Sequence, residues 1–308
     1  MNNRNYYLAA ISSFFIWGVF SLPLRMMSSY GAGQILFFRV FFAVLILISS
    51  FLIAGRKSAR ENFQIFKSLD PKQKLIISLL TVGGGILLVA NWLIFIYVVN
   101  SVNIRTATFS YFICPVLTAV FAFALLKEKL GTLQWIAVLL CALSCALIGK
   151  DSVTELGYSL VIASTYAFYL ITQRKNNAFD RLFILMIQLS FAMLIILPFY
   201  PMLVSSVPSD AGFYFAVAGI SLVFTIVPLF LNLYALKGMS SSTLGILMYI
   251  NPIINFTIGV MYFNEKITAN QSIGFTIIAF ALLLFNYQAM RRMRNRRIDR
   301  KHKAGDAA

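Results

Sequence analysis

The sequence predicts an all-α integral membrane protein: ten transmembrane helices, arranged as two inverted five-helix repeats with both termini cytoplasmic. Three observations predict it: an apolar composition, an asymmetric placement of basic residues between apolar runs, and a residue skeleton that occurs twice. Of 308 residues, 60% are hydrophobic and 12% charged, about half the charge of an ordinary soluble domain. The net charge of +16 lies in short loops and one tail, almost none of it within the apolar runs, which argues against nucleic-acid binding.

A helix that crosses a bilayer needs about 20 largely apolar residues. That measure gives spans at 6–26, 34–54, 74–98, 104–126, 132–149, 154–173, 182–200, 211–235, 241–263 and 269–288. The first is too long for a signal-peptide core and no A-x-A site follows it, so it is expected to be retained. The second carries Arg39 among Phe37, Phe38, Phe41 and Phe42. The third holds Gly83, Gly84 and Gly85, which favour close helix approach, and then Asn91 and Trp92. Pro115 sits in the fourth span, Pro228 in the eighth and Pro252 in the ninth. Cys114, Cys141 and Cys145 all fall in apolar runs and read as inert buried thiols. The lone His302 is in the tail, so neither a metal nor a cofactor is expected.

Orientation follows from the loop charges. With both termini inside, 21 of the 26 Lys and Arg residues are cytoplasmic. Only Arg25, Arg105, Lys150 and Lys266 fall outside, and Arg39 remains within a span. The tail "RRMRNRRIDRKHK" reads as a stop signal that touches anionic lipid headgroups, with a protein or nucleic-acid contact as the sharper alternative.

The repeat is visible in "CPVLTAVFAFALLKEKL" (114–130) and "NPIINFTIGVMYFNEKI" (251–267), 137 residues apart. At that offset, 91–148 aligns with 228–285 without a gap, and Pro, Glu-Lys and Gln positions coincide. A weaker echo places "WGVFSLPLR" (17–25) over "YAFYLITQR" (166–174). The units are 1–150 and 151–290, with a basic tail at 291–308. Five helices is an odd number, so the second unit enters the membrane from the opposite side. Inverted repeats of this kind are a transporter design, with substrate held near the midplane between the halves.

These passages, together with "WG" at 17–18 and Arg39, resemble the EamA-type permeases of the drug/metabolite transporter superfamily, specifically the RarD subgroup named for chloramphenicol sensitivity. The resemblance covers about residues 6–288. It implies a ten-helix inverted-repeat fold and secondary transport of a small metabolite or drug across the bacterial inner membrane. It fixes no substrate, since relatives handle amino acids, nucleotide precursors and cationic drugs. One departure stands out: the subgroup pattern has Asn-Pro in the first repeat, whereas here Cys114 precedes Pro115.

Arg39 is the most informative single residue. An intramembrane Arg costs at least about 2.5 kcal/mol unless water or a partner reaches it. It is expected to contact an anion in the cavity or to tether carbonyls, and snorkelling to the outer interface is the alternative. Trp17, Trp92 and Tyr111 offer aromatic surface, and Tyr249, Asn91, Asn251 and Asn255 add polar groups, all as candidate substrate contacts. Such groups also join helix to helix. Pro115, Pro228 and Pro252 are candidate kinks or gating points, with fixed packing kinks as the alternative. Glu128 with Lys129, and Glu265 with Lys266, read as helix-end ion pairs or loop caps rather than proton sites. With no acid at midspan, a neutral, zwitterionic or anionic cargo is favoured.

The chain lacks G-x-x-x-x-G-K-[ST], H-E-x-x-H and G-x-S-x-G, so neither ATP-driven transport nor an enzyme is expected. The expected partners are a small-molecule substrate and the lipid bilayer, with a monomer and a homodimer both open. Export or exchange is the leading reading. An importer of the same fold, or a non-transport membrane protein such as a lipid-handling enzyme or receptor scaffold, is the alternative.

Overall fold

The computed structural model describes residues 3–127, 129–175, 179–236, 238 and 247–305, and every regular element among them is helical. The span expected at 6–26 is present as one apolar stretch, Arg4–Met26, formed by α1 (Asn3–Gly18) and α2 (Ser21–Met26) with a local break between them. Pro23 explains the break: it has no N–H for the carbonyl of Val19, which accepts instead from Leu22 at 3.1 Å. A further apolar helix, α3 (Ala32–Ile53), follows.

The region read as a loop after the second span contains α4 (Arg56–Ser68), an amphipathic helix with exposed Lys57 and buried Asn62. The following helix, α5 (Pro71–Ser101), starts where Asp70 Oδ1 accepts the Gln73 N–H at 2.8 Å, with Pro71 at a position that needs no donor.

Next come α6 (Ile104–Leu126), α7 (Thr132–Asp151), α8 (Val153–Lys175) and α9 (Arg181–Ile196). The seventh span tightens into a 3₁₀ turn at Leu197–Phe199 and then α10 (Tyr200–Leu203), because Pro198 and Pro201 cannot continue a regular ladder. The eighth span is α11 (Ala211–Ser221), a π turn at Leu222–Ile226, and α12 (Val227–Leu236). The ninth is described only from Leu247, with α13 (Ile250–Thr257) and a π turn at Ile258–Tyr262. The last helix, α14 (Ala269–Gly305), runs on through most of the basic tail.

Among the described residues eight helical stretches are long and apolar enough to cross a membrane. The 23-residue α8 is long but more polar, carrying Glu155, Ser159, Thr165 and Gln173. Packing against both α5 and α6, it places such groups against protein rather than lipid. Side chains on the outer surface are strongly apolar, with Phe215 80% and Leu139 69% exposed. That pattern fits a lipid-facing surface and would be a liability in water.

The helices pack in matched sets. α1 lies on α12 and α13, as α8 lies on α5 and α6; α3 meets α11, as α9 meets α5; α7 pairs with α14. The main core lies among α3, α5, α9 and α11, around Leu36, Val40, Ile96, Leu189 and Val217. Small hydroxyls join helices across these seams: Ser144 Oγ donates to Gly274 O at 2.7 Å and Ser13 Oγ to Pro228 O at 2.9 Å.

Two non-glycine residues among those described adopt the left-handed conformation, Lys127 (φ 55°) and Asn264 (φ 52°), again 137 positions apart. Gln134 and Gln271, also matched by that offset, each accept the N–H three residues back, from Gly131 at 2.9 Å and Thr268 at 3.3 Å.

Glu265 corrects the expected pairing with Lys266, which is exposed. Its partner is Arg105, at 3.3 Å, and its carboxylate also accepts the N–H groups of Ile104 at 2.7 Å and Arg105 at 3.0 Å. Asn103 Oδ1 takes the next donor, Thr106 N–H, at 2.7 Å. Three of the four orphan donors at the start of α6 are thereby satisfied, two of them from the other end of the sequence. Glu128 lies outside the described residues, and Lys129 beside it is exposed.

Candidate functional site

Pro115, Pro228 and Pro252 share a consequence. A proline at position i leaves the carbonyl of residue i−4 without its helical donor. For Pro115, Pro228 and Pro252 those carbonyls belong to Tyr111, Phe224 and Met248. All three of these residues line one cavity of about 90 Å³ between the helices. The freed carbonyl of Phe224 accepts the Trp17 indole N–H at 3.1 Å, so one kink holds the end of α1.

The cavity draws on both halves of the chain. Its lining residues fall into pairs at the sequence offsets: Trp17 with Tyr166 and Phe20 with Tyr169, each 149 apart. At 137 apart, Leu88 pairs with Thr225, Trp92 with Leu229, Tyr111 with Met248, and Cys114 with Asn251. Phe95, Pro252 and Asn255 add to the wall.

Arg39 enters this wall from α3 at 3% exposure. Its Nε and Nη2 donate to Thr225 Oγ1 at 3.2 and 3.0 Å. Its guanidinium carbon lies 4.1 Å from the Trp92 ring centroid and 4.8 Å from that of Phe20. These aromatic faces offset part of the cost of the buried cation. Snorkelling to the interface is not what the side chain does. Nη1 has no acceptor among the described residues.

Asn255, 3% exposed, donates from Nδ2 to Asn251 Oδ1 at 2.7 Å and to Trp17 O at 3.3 Å. Two acceptors on one side fix the amide's orientation, leaving Oδ1 buried without a donor among the described residues.

Six of the eight expected contact residues therefore line the cavity: Trp17, Arg39, Trp92, Tyr111, Asn251 and Asn255. Asn91 and Tyr249 do not. Asn91 is fully buried and donates to Ile162 O at 2.7 Å and Thr165 Oγ1 at 3.1 Å, tethering α5 to α8. Tyr249 packs against the buried cluster that contains Cys114, Ile278 and Leu282, and its hydroxyl accepts from Asn286 at 3.4 Å. Tyr166, Tyr169 and Thr225 were not expected. The 149-residue echo of Trp17 and Phe20 was the available signal for the two tyrosines.

Asn91→Leu is expected to lower stability by about 1–3 kcal/mol, since it removes two interhelical hydrogen bonds that contribute about 0.6–1.7 kcal/mol each in a membrane. Thermal unfolding in detergent would report that loss, while ligand affinity at the cavity should stay within twofold.

A model of the EamA-like transporter family matches residues 4–150 and again 155–287. The chain belongs to that family. As an EamA-like transporter it is similar to an uncharacterized transporter of Pseudomonas aeruginosa, with 27% identity across 95% of this chain and 97% of that one. Protein RarD of Escherichia coli is 26% identical over 92% of this chain and 94% of its own length. The transporter YojE of Bacillus subtilis, also uncharacterized, is 27% identical over 91% and 92%. One solved crystal structure superposes with a TM-score of 0.60 over 94% of this chain and 100% of that one, and at 15% identity it speaks for the fold alone. The EamA-like chain is thus a multi-pass membrane transporter, with the bilayer as its surroundings and a small molecule as its cargo.

Proposed function

We propose that this transporter is a secondary carrier of the bacterial inner membrane that exports or exchanges a small metabolite by alternating access. In this reading it is two inverted five-helix units, 1–150 and 151–290, with ten crossings, both termini cytoplasmic and the basic tail at the inner leaflet. The observation that carries the reading is the paired lining of the cavity, with Trp17 against Tyr166 and Cys114 against Asn251, at the offsets of the repeat. A carrier that rocks one half against the other needs its binding site at the interface of the two.

Several features support the inversion. Exchanging each helix for its counterpart five spans on maps the α1–α12 contact onto α8–α5, and α3–α11 onto α9–α5. The left-handed residues at 127 and 264 and the capping glutamines at 134 and 271 obey the same exchange. The family model also matches twice.

Purified protein in liposomes, loaded with a panel of metabolites, should show counterflow of at least one labelled solute, with and without a pH gradient. Arg39→Ala should reduce that flux at least tenfold. Folded protein that moves no solute under any gradient would end the carrier reading.

A further inference from the structure

Resting on that carrier reading, we propose that the cargo is a small monoanionic carboxylate bearing a neutral hydroxyl or N–H donor close to the carboxylate. Two orphaned atoms of opposite hydrogen-bonding sense belong to side chains of the same cavity wall: the donor Nη1 of Arg39 and the acceptor Oδ1 of Asn255. Buried polar atoms are almost always paired. Other buried atoms also lack partners among the described residues, Asn91 Oδ1 and Thr108 Oγ1 included, but these two alone belong to residues that line the cavity, which makes them the places for a ligand to meet.

The guanidinium geometry narrows the partner. The rings of Trp92 and Phe20 lie with their centroids 4.1 and 4.8 Å from its central carbon. Thr225 occupies the edge formed by Nε and Nη2. What remains is the end-on edge of Nη1 and Nη2, whose two parallel N–H bonds match the two oxygens of a carboxylate.

Charge narrows it further. Among the described residues Arg39 is the sole charged one in the cavity wall, and none of them there is an Asp or Glu that could receive an ammonium group. A zwitterion would bring its own cation into a void of about 90 Å³ that already holds one. The second polar group of the cargo must therefore be neutral and must donate, since Asn255 offers only its carbonyl oxygen. Aromatic and aliphatic walls (Trp17, Phe95, Tyr166, Leu229) take an apolar body of a few carbons.

Four matched probes test this, using binding to the purified full chain followed by tryptophan fluorescence and checked by thermal shift. They are 2-hydroxybutyrate, butyrate, 2-hydroxybutyramide and 2-aminobutyrate. The hydroxy acid is expected to bind at least tenfold more tightly than its amide and than the amino acid, and at least threefold more tightly than butyrate. Arg39→Gln should bring acid and amide within twofold of each other. Asn255→Leu should remove the preference for the hydroxyl and leave the preference for the carboxylate.

Equal or tighter binding of the amide or of 2-aminobutyrate to the unaltered protein would overturn the proposal, whether or not either variant folds. So would binding of none of the four, or an acid preference that survives in Arg39→Gln. Counterflow in liposomes separates the two readings: a solute that moves but is not such a carboxylate leaves a carrier and removes this cargo.

Discussion

Gly85→Ala is expected to lower the stability of the folded protein by about 1–3 kcal/mol, the usual cost of forcing a methyl into a filled interior. A Cβ at Gly85 would sit 2.5 Å from the backbone oxygen of Gln188 and 3.1 Å from its carbonyl carbon. Those atoms belong to the backbone of α9, so no rotamer change relieves the contact and the two helices must separate. Gly83, two residues earlier on the same helix, has nothing within 4 Å of the same position. There the alanine meets no clash and gains the helix propensity that glycine lacks, about 1 kcal/mol at most. Gly83→Ala is therefore expected to be neutral or stabilising. Thermal unfolding of both variants in one detergent decides it: equal midpoints would mean that α5 and α9 are not held at this distance in solution. Gly84 should fall between, because its Cβ would meet the movable side chains of Gln188 and Thr172 at 2.5 and 2.8 Å.

Much of the site was legible because chemistry-bearing residues are rare inside apolar runs. Arg39, Trp17 and the Asn251–Asn255 pair stood out for that reason, and all line the cavity. What composition could not supply was the facing of each residue on its helix. Leu88, Trp92 and Phe95 form one stripe at helical spacing and face the cavity. Asn91, about 100° behind Trp92, turns instead to α8 and serves as a tether. Tyr249 is misplaced in the same way relative to Met248 and Asn251, and faces α14.

Local reading also favoured near neighbours. Lys266 beside Glu265 suggested a pair, yet the partner is Arg105, 160 positions away. Only a packing that sets the start of α6 against the second half brings those two together. The helix at 56–68 was hidden for a different reason. Its charges served as an orientation signal, while its few apolar residues were too sparse to suggest an element. Thr225 carried no signal of its own. It lies in the π turn at Leu222–Ile226, and it matters because Arg39 has no acidic partner among the described residues.

Glu265→Gln is expected to loosen the end of the bundle at which α6 begins, and Cys114 provides a native reporter. In the structure one carboxylate accepts two backbone N–H groups and pairs with a largely buried Arg105, whose side chain is 14% exposed. Gln271, at the start of α14, accepts from the same guanidinium. Under the proposed carrier mechanism this staple joins the two halves, and it must release whenever that end opens. Hydrogen bonds to a charged acceptor contribute about 1.5–3 kcal/mol each, more than neutral ones. Replacing the carboxylate by an amide keeps the shape, discards the charge and leaves the guanidinium without its counter-ion. A shift of about 1.4 kcal/mol towards the open form is a tenfold change in its population while that form is rare. Cys114 lines the cavity at 1% exposure, so alkylation there reports how often the cavity opens. With Cys141 and Cys145 replaced by Ser, the alkylation rate at Cys114 should rise about tenfold in Glu265→Gln. Arg105→Gln should raise it as well, and the double variant should add little to either, because both substitutions break one staple. An unchanged rate in Glu265→Gln would mean that the carboxylate merely caps α6, and that opening proceeds without releasing it.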